Sequence, residues 1–135
     1  MTSIGHIGIV VRDLKKAVEA FKIILNCKPS STEYVADQKV NVAIFRPSGE
    51  NAAAIELVCP DPDNKAIQGF LDKRGEGIHH LSLHVDDVAE RLVMLKENGY
   101  QLIDEKPRTG GRANTPQQRI WRKMVFGHLE SLLRE

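Results

Sequence analysis

At 135 residues, with 41% hydrophobic and 27% charged side chains, the chain is long enough for one domain with its own core and shows no bias towards disorder or fibrous repeats. A formal net charge of +1 offers no basic field to nucleic acid or to an acidic membrane surface, so neither is expected as a partner. No apolar run approaches the roughly 20 residues that span a bilayer, residues 1–6 lack the charged-then-apolar pattern of a secretory leader, and Cys27 and Cys59 have no metal-ligand spacing. The expectation is a cytoplasmic protein with reduced thiols.

Residues 4–11 predict a first strand, with His6, Gly8 and Val10 on one face and Ile7, Ile9 and Val11 on the other. Asp13 then caps a helix whose Leu14, Val18, Phe21 and Leu25 fall on one side. Three further strands are expected over 32–35, 40–46 and 52–59, joined by turn-forming segments. After the Pro60-Asp61-Pro62-Asp63 break, a short helix carries Ile67, Phe70 and Leu71. Gly75 and Gly77 lead into a second alternating run, in which His80, Ser82 and His84 oppose Leu81, Leu83 and Val85. A helix starting at Asp86-Asp87 follows, with Val88, Leu92 and Leu95 at helical spacing.

The two halves repeat. His6-Ile7-Gly8-Ile9-Val10-Val11-Arg12-Asp13-Leu14 aligns with His80-Leu81-Ser82-Leu83-His84-Val85-Asp86-Asp87-Val88 at one fixed offset, and the helix that follows recurs in phase. The pattern predicts a β-α-β-β-β unit used twice, its helix covering the apolar face of the sheet and its other face lining a cavity. His6 and His80 then occupy equivalent places on two related cavity faces. Glu56, set among Ala54, Ile55, Leu57 and Val58, is a carboxylate that is expensive to bury unless it is paired or bound to a cation. Two imidazoles and a carboxylate suit a divalent Zn, Co, Mn or Ni ion with open positions for water or substrate. His79, one residue off in strand parity, is expected to point to the opposite face and to be structural.

The opening run His6 to Leu14 resembles that of the vicinal oxygen chelate superfamily, which includes glyoxalase I. Ala53-Ala54-Ile55-Glu56-Leu57-Val58, the stretch Gly69 to His80 with its Lys-Arg-Gly-Glu-Gly-Ile-His-His run, and Leu102 to Gly110 are similar to methylmalonyl-CoA epimerases. The resemblance covers residues 4 to about 110. It implies an α+β fold of two βαβββ modules in one domain spanning 1–135, with module one at 4–60 and module two at 76–110. It also implies a metal site on His6, Glu56 and His80, an acyl-CoA substrate, a homodimer, and a 1,1-proton transfer between (2R)- and (2S)-methylmalonyl-CoA. A glyoxalase-type lyase or isomerase, or a non-catalytic binding or dimerisation relic of the family, are the alternatives. Beyond Gly110 the family pattern of a strand, a His-Pro turn and a last strand with apolar-Glu-apolar is not matched. Residues 115–134 instead suggest a helix, leaving the second module incomplete, and Glu130 and Glu135 match no family motif. The acid–base residues are therefore unknown at this level.

Overall fold

The computed structural model describes residues 2–100 and 102, together with the backbone of Arg119–Arg122. The chain runs β1 (Ser3–Val10), α1 (Leu14–Leu25), β2 (Ser31–Val35), a 3-10 turn (Ala36–Gln38), β3 (Val40–Phe45), β4 (Ala54–Pro60), α2 (Lys65–Arg74), β5 (Gly77–His84), α3 (Val88–Glu97) and β6 (Arg119–Arg122). The strands form one sheet in the order β2-β3-β4-β1-β5-β6. β1 lies parallel to β4 and antiparallel to β5. This is an α+β fold, and its first module has the expected β-α-β-β-β element order.

The helix starts follow from local chemistry. Asp13 accepts the amide of Lys16 at 3.1 Å, and its repeat equivalent Asp87 accepts that of Glu90 at 3.0 Å. Asn64 does the same for Ile67 in α2. Each such cap satisfies an amide that the helix leaves unpaired and is worth about 1 kcal/mol. Asn26 ends α1 in the left-handed conformation, at φ 50°.

Strand alternation splits the core between the two sheet faces. Val11, Ala43, Phe45 and Leu57 pack with Leu14, Val18 and Phe21 of α1 on one side. Val10, Val40, Val42 and Val58 pack with Leu71, Ile67 and Phe70 of α2 on the other. Glu56 shares strand parity with Val58, so it stands on the α2 side. Cys27 and Cys59 are free thiols, and among the described residues no helix is long and apolar enough to cross a membrane.

One expectation is corrected here. Within the helix suggested for 115–134, Arg119–Arg122 form strand β6, paired antiparallel with β5 from His84↔Arg119 to Leu81↔Arg122. Ile120 and Trp121 suit a strand, and helical spacing of a short apolar run does not exclude one. Pairing with β5 satisfies backbone groups that would otherwise stand at a sheet edge. The rest of 115–134, and residues 103–110 of the second module, lie outside the described residues.

Candidate metal centre

The site is built on the ladder between β1 and β5. His6 stands opposite Ser82 and Gly8 opposite His80, so the two histidines are diagonal neighbours on one face. On its other side Gly8 is in register with Glu56 of β4. Gly8 thus separates Glu56 from His80 in the sheet, and lacking a side chain it leaves room for the His80 ring above it. A Cβ at Gly8 would fall 2.0 Å from Cε1 of His80 and 2.4 Å from each ring nitrogen. The imidazole lies directly on the glycine.

His6 Nε2 is 3.0 Å from His80 Nε2 and 3.6 Å from Glu56 Oε2. One donor atom from each residue lies within 4.8 Å of the others. All three side chains are buried, between 5% and 9% exposed. Three separate strands thus bring together the residues singled out by the repeat and by the isolated carboxylate.

The donor set fits a divalent ion. A metal with bonds of about 2.0–2.1 Å to nitrogen and oxygen has neighbouring ligand atoms roughly 3 Å apart; the two histidine Nε2 atoms stand at 3.0 Å, and Glu56 Oε2, 3.6 Å from His6, would close in on the ion. Ligation needs neutral imidazoles and an ionised carboxylate. Burial, with a smaller contribution from His79, pushes the His80 pKa down from 6.5 to about 4, so its ring is neutral at physiological pH. Ser82, wholly buried opposite His6, has a hydroxyl with no hydrogen-bond partner among the described residues, which marks this face as polar beyond what the sheet needs.

His79 departs from expectation. The ladder steps from Gly8↔His80 to Ile9↔Ile78, which leaves His79 as an extra residue in a β-bulge. The bulge breaks alternation and brings His79 beside His80 rather than behind it: their Nδ1 atoms are 3.1 Å apart and their rings meet edge to face. His80 remains the member of the converging group, as the repeat indicated. His79 is its neighbour.

A pocket opens beside these residues, lined by Gly5, His6, Ile44, Arg46, Glu56 and His84. Neither Arg46 nor His84 was among the candidate site residues read from sequence, although alternation put His84 on the polar strand face with His80. Arg46 reads as a strand end, and His84 aligns with Val10 in the repeat. His84 reaches the pocket because it packs over Gly5, where a Cβ would lie 2.6 Å from its Nε2.

A model of the glyoxalase/bleomycin resistance protein/dioxygenase superfamily matches residues 5–116. The chain belongs to this superfamily. The superfamily, to which the vicinal oxygen chelate resemblance pointed, commonly uses a divalent metal. The chain is 34% identical over 110 residues to the Bacillus subtilis protein YqjC, covering 82% of this chain and 76% of that one. It is 30% identical over 108 residues to human mitochondrial methylmalonyl-CoA epimerase, covering 79% of this chain and 60% of the human one. Its fold is similar to that of the methylmalonyl-CoA epimerase from Mycobacterium tuberculosis, with a TM-score of 0.74 and 32% identity, covering 89% of this chain and 78% of that one. These superfamily relatives place the chain among isomerases.

Proposed function

We propose that the chain is a metal-assisted epimerase of the methylmalonyl-CoA type. It would move the proton on the carbon between a thioester and a carboxylate, and so interconvert the (2R) and (2S) forms. The observation that carries this reading is the convergence of His6, His80 and Glu56 on one sheet face, with His6 Nε2 3.0 Å from His80 Nε2 and 3.6 Å from Glu56 Oε2, in a superfamily member whose relatives include named epimerases.

His6, Glu56 and His80 would hold the ion. When bound, a divalent ion such as Co²⁺, Zn²⁺, Mn²⁺ or Ni²⁺ supplies Lewis-acid stabilisation of the negative charge that develops on the substrate's oxygens. Glu56 sets the local charge, and the two neutral imidazoles add none. Arg46 lines the same pocket, and its guanidinium suits the free carboxylate of a malonyl half-ester through charge-assisted hydrogen bonds. With His6 and Glu56 committed to the ion, His84 is the titratable group of the described lining left to exchange a proton. We assign it that role on one face of the substrate carbon, at which the C–H bond breaks and the proton passes to an imidazole nitrogen.

The test is exchange of the substrate α-proton with deuterium, followed by NMR on the Co²⁺-loaded chain in D₂O with methylmalonyl-CoA. Exchange should occur, stop on chelation, and slow by about 10²- to 10⁴-fold in His84→Ala. A loaded chain that binds methylmalonyl-CoA and exchanges nothing would overturn the reading. Unchanged exchange in His84→Ala would overturn that assignment alone.

A further inference from the structure

The buried imidazole of His79 is not needed to hold the ion. Its place is nonetheless specific. Successive side chains of a strand project to opposite faces, and the bulge at His79 is what brings two neighbouring imidazoles into contact. His79 also packs edge-on against Phe70 of α2, with ring centroids 4.9 Å apart, which fixes its ring plane from the other side.

We propose that His79 is a positioning residue, which holds His80 in the tautomer with its proton on Nδ1 and thereby leaves Nε2 free to bind a cation. The proposal rests on the metal-centre reading above. The atoms dictate the direction. His80 Nε2 faces His6 Nε2 at 3.0 Å and is the atom in the converging group, so its lone pair must point there. A neutral imidazole with a free Nε2 carries its proton on Nδ1. At 3.1 Å from that nitrogen stands His79 Nδ1, which accepts the hydrogen bond and so keeps its own proton on Nε2. In the metal-free chain the line continues, with the His6 Nε2–H donating to His80 Nε2. Three imidazoles then form one directed chain, in which ion binding needs His6 alone to move its proton to Nδ1, whereas the reversed chain would place the proton on Nε2 of His80, the ring that His79 contacts.

Partners that fix the tautomer and orientation of a ligating histidine typically change metal affinity by about 10- to 100-fold when removed. The competing account is that His79 only fills space against Phe70. Leucine would fill that space, and asparagine would keep an acceptor oxygen near the place of Nδ1.

The experiment therefore compares wild type, His79→Leu and His79→Asn, each confirmed as folded by its melting curve. Long-range ¹H–¹⁵N spectra of the metal-free chains at neutral pH report the His80 tautomer, and competition with a chelator reports Co²⁺ affinity. We expect Nδ1–H in wild type and in His79→Asn. His79→Leu should show a mixture of tautomers and bind Co²⁺ about 10- to 100-fold more weakly, with His79→Asn near wild type. A His79→Leu chain that retains the pure Nδ1–H tautomer overturns the proposal, whether or not its affinity falls. If wild type binds no Co²⁺, the metal reading fails while the tautomer comparison still decides the role of His79.

Discussion

Gly8→Ala is the smallest change that should dismantle the site. The added methyl would sit 2.0 Å from Cε1 of His80 and 2.4 Å from both ring nitrogens. To reach ordinary van der Waals contact the ring must retreat by about 1.4 Å, and it is only 9% exposed, so it moves against packed neighbours. Overpacking of this kind typically destabilises by about 1–3 kcal/mol, a fall in melting temperature of roughly 5–10 °C for a domain of this size. The effect on metal should be larger. A displacement over 1 Å exceeds what a bond of about 2.0–2.1 Å tolerates, so His80 is lost as a ligand and Co²⁺ affinity should drop at least 100-fold. Chelator competition and thermal melts measure the two effects separately. Gly69→Ala in α2 is the control: nothing lies within 4 Å of its Cβ position, and alanine favours a helix over glycine by about 0.5–1 kcal/mol. Combining Gly8→Ala with His80→Ala should recover much of the lost stability and none of the affinity, because the clash needs both groups. Wild-type affinity and melting temperature in Gly8→Ala would refute the reasoning, since the ring would then not lie over the glycine.

Ser82→Ala removes a wholly buried hydroxyl with no partner among the described residues, and should stabilise the metal-free chain by about 1 kcal/mol in a denaturant melt; a loss of that size would show that the hydroxyl is bonded. Glu56→Gln replaces a buried charge with a neutral isostere, so the metal-free melting temperature should hold or rise while Co²⁺ affinity falls more than about tenfold, the opposite signs expected of a functional residue. Because the His80 pKa is about 4 in the folded chain against 6.5 unfolded, the unfolded state takes up the proton first as pH falls. Stability of the metal-free chain should be unaffected above about pH 6.5 and decline by up to about 3 kcal/mol between there and pH 4. Urea melts across that range check this, and His80→Ala should flatten the decline.

How much of this was legible in the sequence depended on how local the determinant was. Helix α1 runs from its Asp13 cap to Asn26 as its apolar spacing predicts, because capping and amphipathicity are set within a few residues. Glu56 was legible as a carboxylate among apolar neighbours. His6 and His80 were legible through the repeat, and their placement on one face follows from the antiparallel pairing of two equivalent strands. Arg46 was not, and His84 was legible only as a polar-face residue of its strand, because the pocket they line is made by register between strands far apart in the chain. Four residues of β6 were read as helix because their pairing partner, β5, is remote in sequence.

The misplacement of His79 has a more specific cause, and the sequence held a signal for it. The ladder between β1 and β5 has two irregularities, at Gly5 of the first strand and at His79 of the second. Shifted by the repeat offset, Gly5 falls on His79, so the bulge is a property of the duplicated unit. A glycine inside an alternating strand is a bulge signal, and carrying it from the first half to the second predicts broken parity at His79. The two halves then use one backbone device differently. In the first module the bulged residue is a glycine that leaves room for the ring of His84. In the second it is an imidazole against the ring of His80. The same divergence appears two residues after each of the matching histidines, where Gly8 lies under His80 and its equivalent Ser82 stands opposite His6. The duplication supplies two matching histidines. The departures from it, Gly5 against His79 and Gly8 against Ser82, give His80 a partner on Nδ1 and floor space for its ring, and so make the site one-sided.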